Sequence, residues 1–213
     1  MPNLPKSLTL AVTLALAIPL SASDTSLPDA AESNDLARIQ SLITESRDLN
    51  ASQADGMTAL HWACYHDNTE AAIDLLEAGA YANAKTRYNI QPLQIAVSNG
   101  NPKIAKRLLK EGADPNAVRR GGETLLMTAS RVGKVDIVKM LLKAGVAVDA
   151  KERRQQTALM WAASAGHPDV VATLIDAGAD MNLSLESGYT PFFFAIREGN
   201  KEVVRLFLDR GAD

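Results

Sequence analysis

The chain has few of the residues on which metal sites and disulfide frameworks depend. Its 213 residues include one cysteine and three histidines. A single cysteine cannot form a disulfide within the chain, and three histidines leave few ways to build a metal site. Only 5% of the residues are aromatic, and the formal net charge is −3. This mild acidity argues against wholesale binding to nucleic acid or to an anionic membrane.

Motifs of common enzyme classes are missing as well. The sequence contains no phosphate-binding loop, no nucleophile elbow and no His-Glu-x-x-His zinc motif. The glycine doublet Gly121-Gly122 lies in a polar segment rather than between a strand and a helix, so it is typical of a turn. The sequence therefore predicts no enzymatic activity, no cofactor and no bound metal.

An uncharged apolar stretch covers residues 8–20, between Lys6 and the small residues 21–23. A positive start, a short apolar run and small residues before a cleavage point are typical of a secretory signal peptide. The run is shorter than the roughly 20 residues that a membrane-spanning helix needs. We therefore expect residues 1–23 to be a signal peptide, with an uncleaved N-terminal anchor as the alternative. The mature protein would then be secreted, most simply into a bacterial periplasm, with no membrane attachment.

The rest of the chain repeats with a period of 33 residues. Threonine, alanine and glycine each recur at a fixed position of the repeating unit, without insertion or deletion. These residues are Thr58, Thr124, Thr157 and Thr190; Ala63, Ala96, Ala129, Ala162 and Ala195; and Gly79, Gly112, Gly145, Gly178 and Gly211. A fixed period of this size indicates stacked supersecondary units rather than one compact core.

Each unit contains the signals for two helices and an extended segment. The threonines precede short apolar stretches, where a hydroxyl can cap the start of a first helix. Gln91 replaces the threonine in one unit, and Pro92 follows it at the first helical position. Paired apolar residues such as Leu108-Leu109 indicate a second helix, which ends at the periodic glycine. The polar segment after that glycine is expected to form a hairpin-like finger.

These units resemble the ankyrin repeat, which has the signature T-P-L-H-x-A. The corresponding stretches here read TALHWA, QPLQIA, TLLMTA, TALMWA and TPFFFA. The resemblance implies an all-α solenoid of stacked helix-turn-helix units with β-turn fingers. We expect the repeat domain to cover residues 24–213. It divides into a degenerate N-terminal repeat at 24–54, full repeats at 55–87, 88–120, 121–153 and 154–186, and an incomplete last repeat at 187–213.

The resemblance also implies a non-catalytic protein-binding module. Partners of such modules bind the concave face, which the finger tips and the exposed parts of the first helices form. The basic and aromatic residues at the matching positions are Tyr65, Lys85, Arg87, Tyr88, Arg119, Arg120, Arg131, Lys151, Arg153 and Arg154. Arginine and tyrosine are enriched in interfaces, whereas lysine is depleted. We therefore expect a basic stripe that binds a protein partner with an acidic patch; the alternative is that these charges serve solubility alone.

Two further expectations concern the function of the repeats and the last repeat. As the alternative to an independent binding module, the repeats are the targeting region of a larger secreted effector or enzyme whose catalytic part is not in this chain. The last repeat is apolar where a terminal repeat needs a polar outer face, so we expect it to adjoin further repeats or to self-associate. The residues behind this expectation are Phe192, Phe193, Phe194, Val203, Val204, Phe207 and Leu208.

The densest group of possible metal ligands or nucleophiles is His61, Cys64 and His66. His61 and Cys64 share a helix face, but His66 lies about 200° round from Cys64. A structural zinc site requires four convergent ligands, so this group is interpreted as part of the folding pattern. The resemblance places His61 where the family's histidine forms local hydrogen bonds that set the finger. Trp62 and Trp161 share one repeat position and are expected to pack between first helices.

Overall fold

The structure is a computed structural model that describes residues 26–45 and 48–212. The predicted signal peptide at residues 1–23 lies outside the described residues. Within the described ranges the regular secondary structure consists of twelve α-helices, with two isolated β-bridges, Ser52 to Thr58 and Val118 to Thr124. The predicted all-α fold is therefore confirmed. No helix in this part of the chain combines the length and the apolar character that crossing a membrane would require.

The helices follow one another in pairs, with a longer helix second in each pair. Their bounds are α1 Leu27–Glu32, α2 Leu36–Thr44, α3 Ala59–Tyr65, α4 Thr69–Glu77, α5 Pro92–Asn99, α6 Pro102–Lys110, α7 Leu125–Val132, α8 Val135–Lys143, α9 Ala158–Ala165, α10 Pro168–Asp176, α11 Pro191–Arg197 and α12 Lys201–Asp209.

The starts of the first helices repeat the same cap. The hydroxyl oxygens of Thr58, Thr124, Thr157 and Thr190 each accept the backbone N–H three residues further on, at 3.2 to 3.4 Å. This bond satisfies one of the four N–H groups that a helix start leaves without a partner. The predicted threonine caps are thus present in four of the five units.

The helices form two rows. Each odd-numbered helix packs against the next odd-numbered helix, each even-numbered helix packs against the next even-numbered one, and the two helices of a pair contact each other. The core lies between the rows, where one repeat position is fully buried in each of five successive second helices. It holds Leu75, Leu108, Leu141, Leu174 and Phe207. No repeat can bury this position without its neighbours, so the fold is stabilised along its length by contacts between adjacent units.

Polar side chains also join adjacent units. The Oδ1 atom of Asn50 accepts the backbone N–H of Tyr81 at 2.7 Å, and Oδ1 of Asn83 accepts that of Asp114 at 2.8 Å. Each of these asparagines lies in the first part of one finger segment and binds the first part of the next. These bonds fix the spacing of the fingers and hence of any side chain at their tips.

The fingers are the segments at 48–58, 78–91, 111–124, 144–157 and 177–190. In each, a backbone N–H donates to the carbonyl four residues further on: Gln53 to Met57, Thr86 to Ile90, Arg119 to Glu123, Glu152 to Gln156 and Leu185 to Tyr189. The turn between them contains a residue with positive φ. Gly56 is required at this place in the first finger because a Cβ would come within 2.9 Å of the Thr86 Cα.

The last pair of helices buries more of its apolar residues than the sequence indicates. Phe194, Val203 and Phe207 are buried, and the half-buried Phe192 ring packs 5.9 Å from that of Phe207. Phe193 and Leu208 stay exposed and Val204 is half-buried, together with an exposed residue that the sequence analysis did not single out, Ile196. The helices α11 and α12 therefore expose apolar surface, but less of it than the sequence predicts.

Candidate partner-binding surface

Three arginines occupy one repeat position in three successive fingers. These are Arg87, Arg120 and Arg153. The backbone N–H of Arg87 donates to the Asp55 carbonyl of the preceding finger at 2.8 Å, and that of Arg153 donates to the Gly121 carbonyl at the same distance. Bonds between fingers thus hold the backbone at two of these positions, so that side chains here stand in a row along the concave face.

The arginines of the predicted stripe differ in how free their side chains are. The guanidinium of Arg87 donates to the Ala54 carbonyl at 2.7 Å, which ties it to the neighbouring finger. Arg119 is half-buried, and its Nη2 donates to the Ser98 hydroxyl at 2.6 Å and to the Gln94 carbonyl at 3.4 Å. Both side chains are therefore held by the protein itself and are less available to a partner than the sequence predicts.

Arg120, Arg153 and Arg154 are exposed, and within residues 26–45 and 48–212 their side chains have no hydrogen bond or ion pair. Together with Gly121, Glu123, Glu152, Gln156 and Trp161 they line a groove of about 680 Å³, here called the basic groove. Glu123 accepts the Thr128 hydroxyl at 2.8 Å, and Glu152 accepts the backbone N–H of Arg154 at 2.8 Å. Both carboxylates thus have partners inside the fold, whereas the three guanidiniums do not.

A second groove adjoins the first and is predominantly apolar. This apolar groove, of about 640 Å³, is lined by Met57, Trp62, Tyr65, Tyr88, Ile90 and Ile95, with Asp55, Thr86, Arg119, Arg120 and Glu123 at its edges. Arg120 and Glu123 line both grooves, so the two are continuous. Tyr65 is 60% exposed and Tyr88 is 75% exposed, so both present large side chains to solvent at this groove.

The aromatic residues of the apolar groove support one another. The Trp62 and Tyr65 rings meet edge to face with centroids 5.5 Å apart, a favourable geometry for an aromatic pair. The indole Nε1 of Trp62 donates to Gln53 Oε1 at 2.8 Å, which fixes the ring in place. The groove therefore presents a preorganised apolar wall, which reduces the ordering cost of binding.

Residues of the first helices extend this surface toward α11. Tyr65, Ser98, Arg131, Ser164 and Arg197 share one repeat position. The guanidinium of Arg131 lies 5.8 Å from the centre of the Trp161 ring, and that of Arg197 lies 4.8 Å from the centre of the Phe194 ring. Arg131, Trp161 and Arg197 line a third groove of about 310 Å³, which adjoins the basic groove at Trp161.

The structure thus brings most of the predicted residues together. Seven of them line one of the three grooves: Tyr65, Tyr88, Arg119, Arg120, Arg131, Arg153 and Arg154. Lys85 and Lys151 are exposed on the fingers but line none of these grooves, and neither does Arg87. The stripe is therefore narrower than predicted and centres on Arg120, Arg153 and Arg154.

Sequence reasoning missed several residues of the surface. Arg197 lies exactly two repeats after Arg131, so the repeat spacing alone would have found it. Trp62 and Trp161 pack against the core as expected, but both are only partly buried and also line the grooves. Met57 and Ile90 belong to fingers and share one repeat position, but the next two fingers hold Glu123 and Gln156 there, so no repeating pattern marks the two apolar residues.

The group of His61, Cys64 and His66 does not converge. Nε2 of His61 donates to the Ile90 carbonyl at 3.0 Å, while Nε2 of His66 donates to the Glu32 carbonyl at 2.8 Å. Cys64 is fully buried, and this burial raises the pKa of its thiol. Nowhere in residues 26–45 and 48–212 do three or more histidine, cysteine or acidic side chains come together as metal ligands could.

Stacked helix pairs with projecting fingers define the protein as a helical repeat scaffold. The family described as ankyrin repeats, in three copies, matches residues 27–119, 93–184 and 126–213. The chain belongs to the ankyrin-repeat family. Members of this family generally mediate protein–protein interactions and are typically non-catalytic. A comparison with curated proteins finds no match.

Proposed function

We propose that the protein is a secreted binding module that binds the acidic patch of a protein partner through the concave face. The observation that carries this proposal is the basic groove, where Arg120, Arg153 and Arg154 have no partner within the described ranges. An exposed cluster of arginines beside exposed tyrosines has the composition of interface hot spots. Binding a carboxylate would give these guanidiniums charge-assisted hydrogen bonds, which are stronger than neutral ones.

The proposed location rests on the N-terminal sequence. Residues 1–23 have the positive start, apolar run and small residues of a signal peptide. We therefore place the partner outside the cytoplasm, most simply in a bacterial periplasm. Fractionation of cells that express the protein, with N-terminal sequencing of the product, would test this: cleavage after Ser23 is expected, and an intact N-terminus in the membrane fraction would indicate the anchor instead.

Charge reversal tests the binding surface directly. The variant Arg120→Glu/Arg153→Glu should retain less partner in a pull-down from periplasmic extract, bind the retained species more slowly, and show a flatter salt dependence. The matched control is Lys106→Glu/Lys139→Glu, since both lysines are exposed on second helices, away from the fingers. Equal effects of the two double variants would show that the concave face is not the binding site.

A second proposal is that these repeats are the targeting region of a larger secreted effector or enzyme. It is favoured by the same unpartnered arginines, because a targeting region also requires a binding surface. Sequencing of the transcript past the codon of Asp213 separates the two proposals. A following catalytic region would support the second.

A further inference from the structure

The two halves of the concave face differ in chemistry. The apolar groove lies over α3 and α5 and is walled by the fingers at 48–58, 78–91 and 111–124. The basic groove is walled by the fingers at 111–124 and 144–157, with Trp161 of α9 beside them. Apolar surface and unpartnered cations therefore follow one another along the solenoid in a fixed order.

The apolar groove is large enough to take a large apolar side chain. Its walls are the Trp62–Tyr65 ring pair on one side and the Tyr88 and Ile90 side chains of a finger on the other. With the Trp62 N–H already bonded to Gln53, an apolar or aromatic group can enter without leaving that donor unpaired. Burying one such side chain is a favourable step that scales with the apolar area removed from water.

The basic groove determines the charge of the occupant. Three unpartnered guanidiniums face it, while its two carboxylates, on Glu123 and Glu152, accept hydrogen bonds from their own repeat or finger. A carboxylate entering the groove can take paired N–H donors from an arginine fork. A cationic or neutral segment would leave those donors without a partner of opposite charge.

The distance between the grooves sets the spacing between the apolar side chain and the carboxylate that a partner would place in them. Packed helices lie about 8–10 Å apart. The apolar groove centres on the finger at 78–91 and the basic groove between the fingers at 111–124 and 144–157, so their centres are about one and a half repeats apart. An extended chain advances about 3.3 Å per residue, so this separation corresponds to about four residues. Both features can thus be supplied by one short segment of extended chain.

We propose that the concave face takes an extended acidic segment of its partner, with one large apolar side chain in the apolar groove and carboxylates about four residues away against Arg120, Arg153 and Arg154. This inference rests on the proposed function, because it specifies the partner of the same surface. The proposed function requires only an acidic patch on the partner. The inference requires a linear segment that carries a large apolar side chain and acidic residues at a defined spacing.

A selection from displayed random 12-residue peptides tests the inference. The protein is the bait, and the variant Arg120→Glu/Arg153→Glu serves for counter-selection. The enriched peptides should share an aromatic or large aliphatic residue with aspartate or glutamate about three to five positions away. One enriched peptide, made synthetically with a fluorescein label, is then titrated with the protein and followed by fluorescence anisotropy.

Two variants should weaken the binding of this peptide in different ways. Tyr88→Ala should raise the Kd about tenfold or more at every salt concentration, because it removes apolar contact. Arg120→Glu/Arg153→Glu should raise it by at least as much at low salt and flatten the salt dependence. Lys106→Glu/Lys139→Glu should leave the Kd unchanged. Circular dichroism of each variant checks that the helices are intact.

The outcomes separate the inference from the proposed function. Enriched peptides that lack the paired features, or no enrichment at all, would overturn the inference and favour a folded partner surface, while the periplasmic pull-down still decides the proposed function. An enriched peptide that binds Tyr88→Ala as tightly as the wild type would overturn the inference alone, because the apolar groove would then not hold its apolar side chain.

Discussion

The imidazole of His61 connects the first helix of one repeat to the finger of the next. Its Nε2 lies 3.0 Å from the carbonyl oxygen of Ile90, and a carbonyl only accepts, so Nε2 carries the proton. Its Nδ1 lies 3.2 Å from the backbone nitrogen of Thr58, and it accepts that N–H. The ring therefore fits its site as one neutral tautomer.

This arrangement predicts a loss of stability in mild acid. Burial lowers the pKa of His61 below its ordinary value of 6.5, although the Ile90 carbonyl partly offsets the shift. Protonation at Nδ1 would also replace the acceptor that Thr58 N–H needs with a second donor. In the pH range below about 6.5 the unfolded chain takes up a proton that the folded protein resists. The free energy of unfolding should therefore fall as the pH falls from 6.5 through the lowered pKa.

The chain supplies a matched control for this prediction. Gln94 occupies the same repeat position, and its Oε1 accepts the backbone N–H of Gln91 at 2.8 Å. His61→Gln should thus keep the acceptor and remove the titrating group. Urea denaturation between pH 7 and pH 5 should show a smaller loss of stability in His61→Gln than in the wild type. Identical pH profiles would contradict the assignment to His61.

The Cys64 thiol should report on unfolding rather than on chemistry. Its side chain is fully buried, and burial raises its pKa, so the reactive thiolate is disfavoured in the folded protein. We expect a thiol reagent at pH 8 to label it about 10³-fold or more slowly than the unfolded chain, given typical folded-to-unfolded ratios. The control is Cys64→Ala/Ser187→Cys, because Ser187 is exposed on a finger. Similar labelling rates for both proteins would show that Cys64 is accessible.

Among the first helices of the full repeats, the one that starts after Gln91 lacks a side-chain cap bond. The Oε1 atom of Gln91 is buried and has no hydrogen-bond partner within residues 26–45 and 48–212, and the same holds for Nε2 of Gln94. In the other units a threonine hydroxyl at this position accepts the N–H three residues on. Gln91→Thr should therefore raise the free energy of unfolding by up to about 1 kcal/mol.

The reverse substitution completes this test. Thr157 is buried at the same repeat position and makes the cap bond, so Thr157→Gln should destabilise the protein by a similar amount. Midpoints of chemical denaturation measure both changes. A midpoint of Gln91→Thr at or below that of the wild type would show that the missing cap does not limit stability.

The helices could be predicted from the sequence because their signals are local and repeat. Thr58 predicts a helix start from its own side chain and its position before an apolar stretch, and three of the other four repeats restate the signal. The direction of a finger side chain lacks such a signal. Arg119 turns inward because Ser98, which precedes it by 21 residues, offers a hydroxyl at 2.6 Å. Only the packed structure brings these two side chains together.

The apolar groove was missed for a related reason. Ile95 shares its repeat position with Trp62 and Trp161, and recurring apolar residues predict a core. Ile90 shares its position with Glu123 and Gln156, so no apolar pattern marks it. Whether such a position is covered depends on the height and tilt of the neighbouring fingers, which tertiary hydrogen bonds fix. Tyr88 was predicted to be exposed on a finger tip, but its part in the wall of an apolar groove emerges only when Trp62 and Tyr65 lie opposite.

The exposed apolar side of α11 and α12 is built like a stacking surface. Ile196 is 48% exposed, yet its repeat position is fully buried in every earlier full repeat, where it holds Cys64, Val97, Ser130 and Ala163. Val204 and Leu208 line a shallow groove of about 440 Å³ with Ile196. In the inner repeats the next helix pair covers this side, so a surface of the same composition is suited to bind another apolar helix pair.

We therefore predict that the protein self-associates through this surface. Sedimentation equilibrium should show a mass that rises with concentration, because pairing would bury apolar area worth about 25 cal/mol per Å². Ile196→Lys/Leu208→Lys should shift the equilibrium to monomer, since each lysine would have to lose its hydration in the contact. Tyr81→Lys, at an equally exposed apolar residue far from α11 and α12, should leave the association unchanged. A monomer at all concentrations, with amide exchange in α11 and α12 as slow as in α7 to α10, would show that this surface needs no partner.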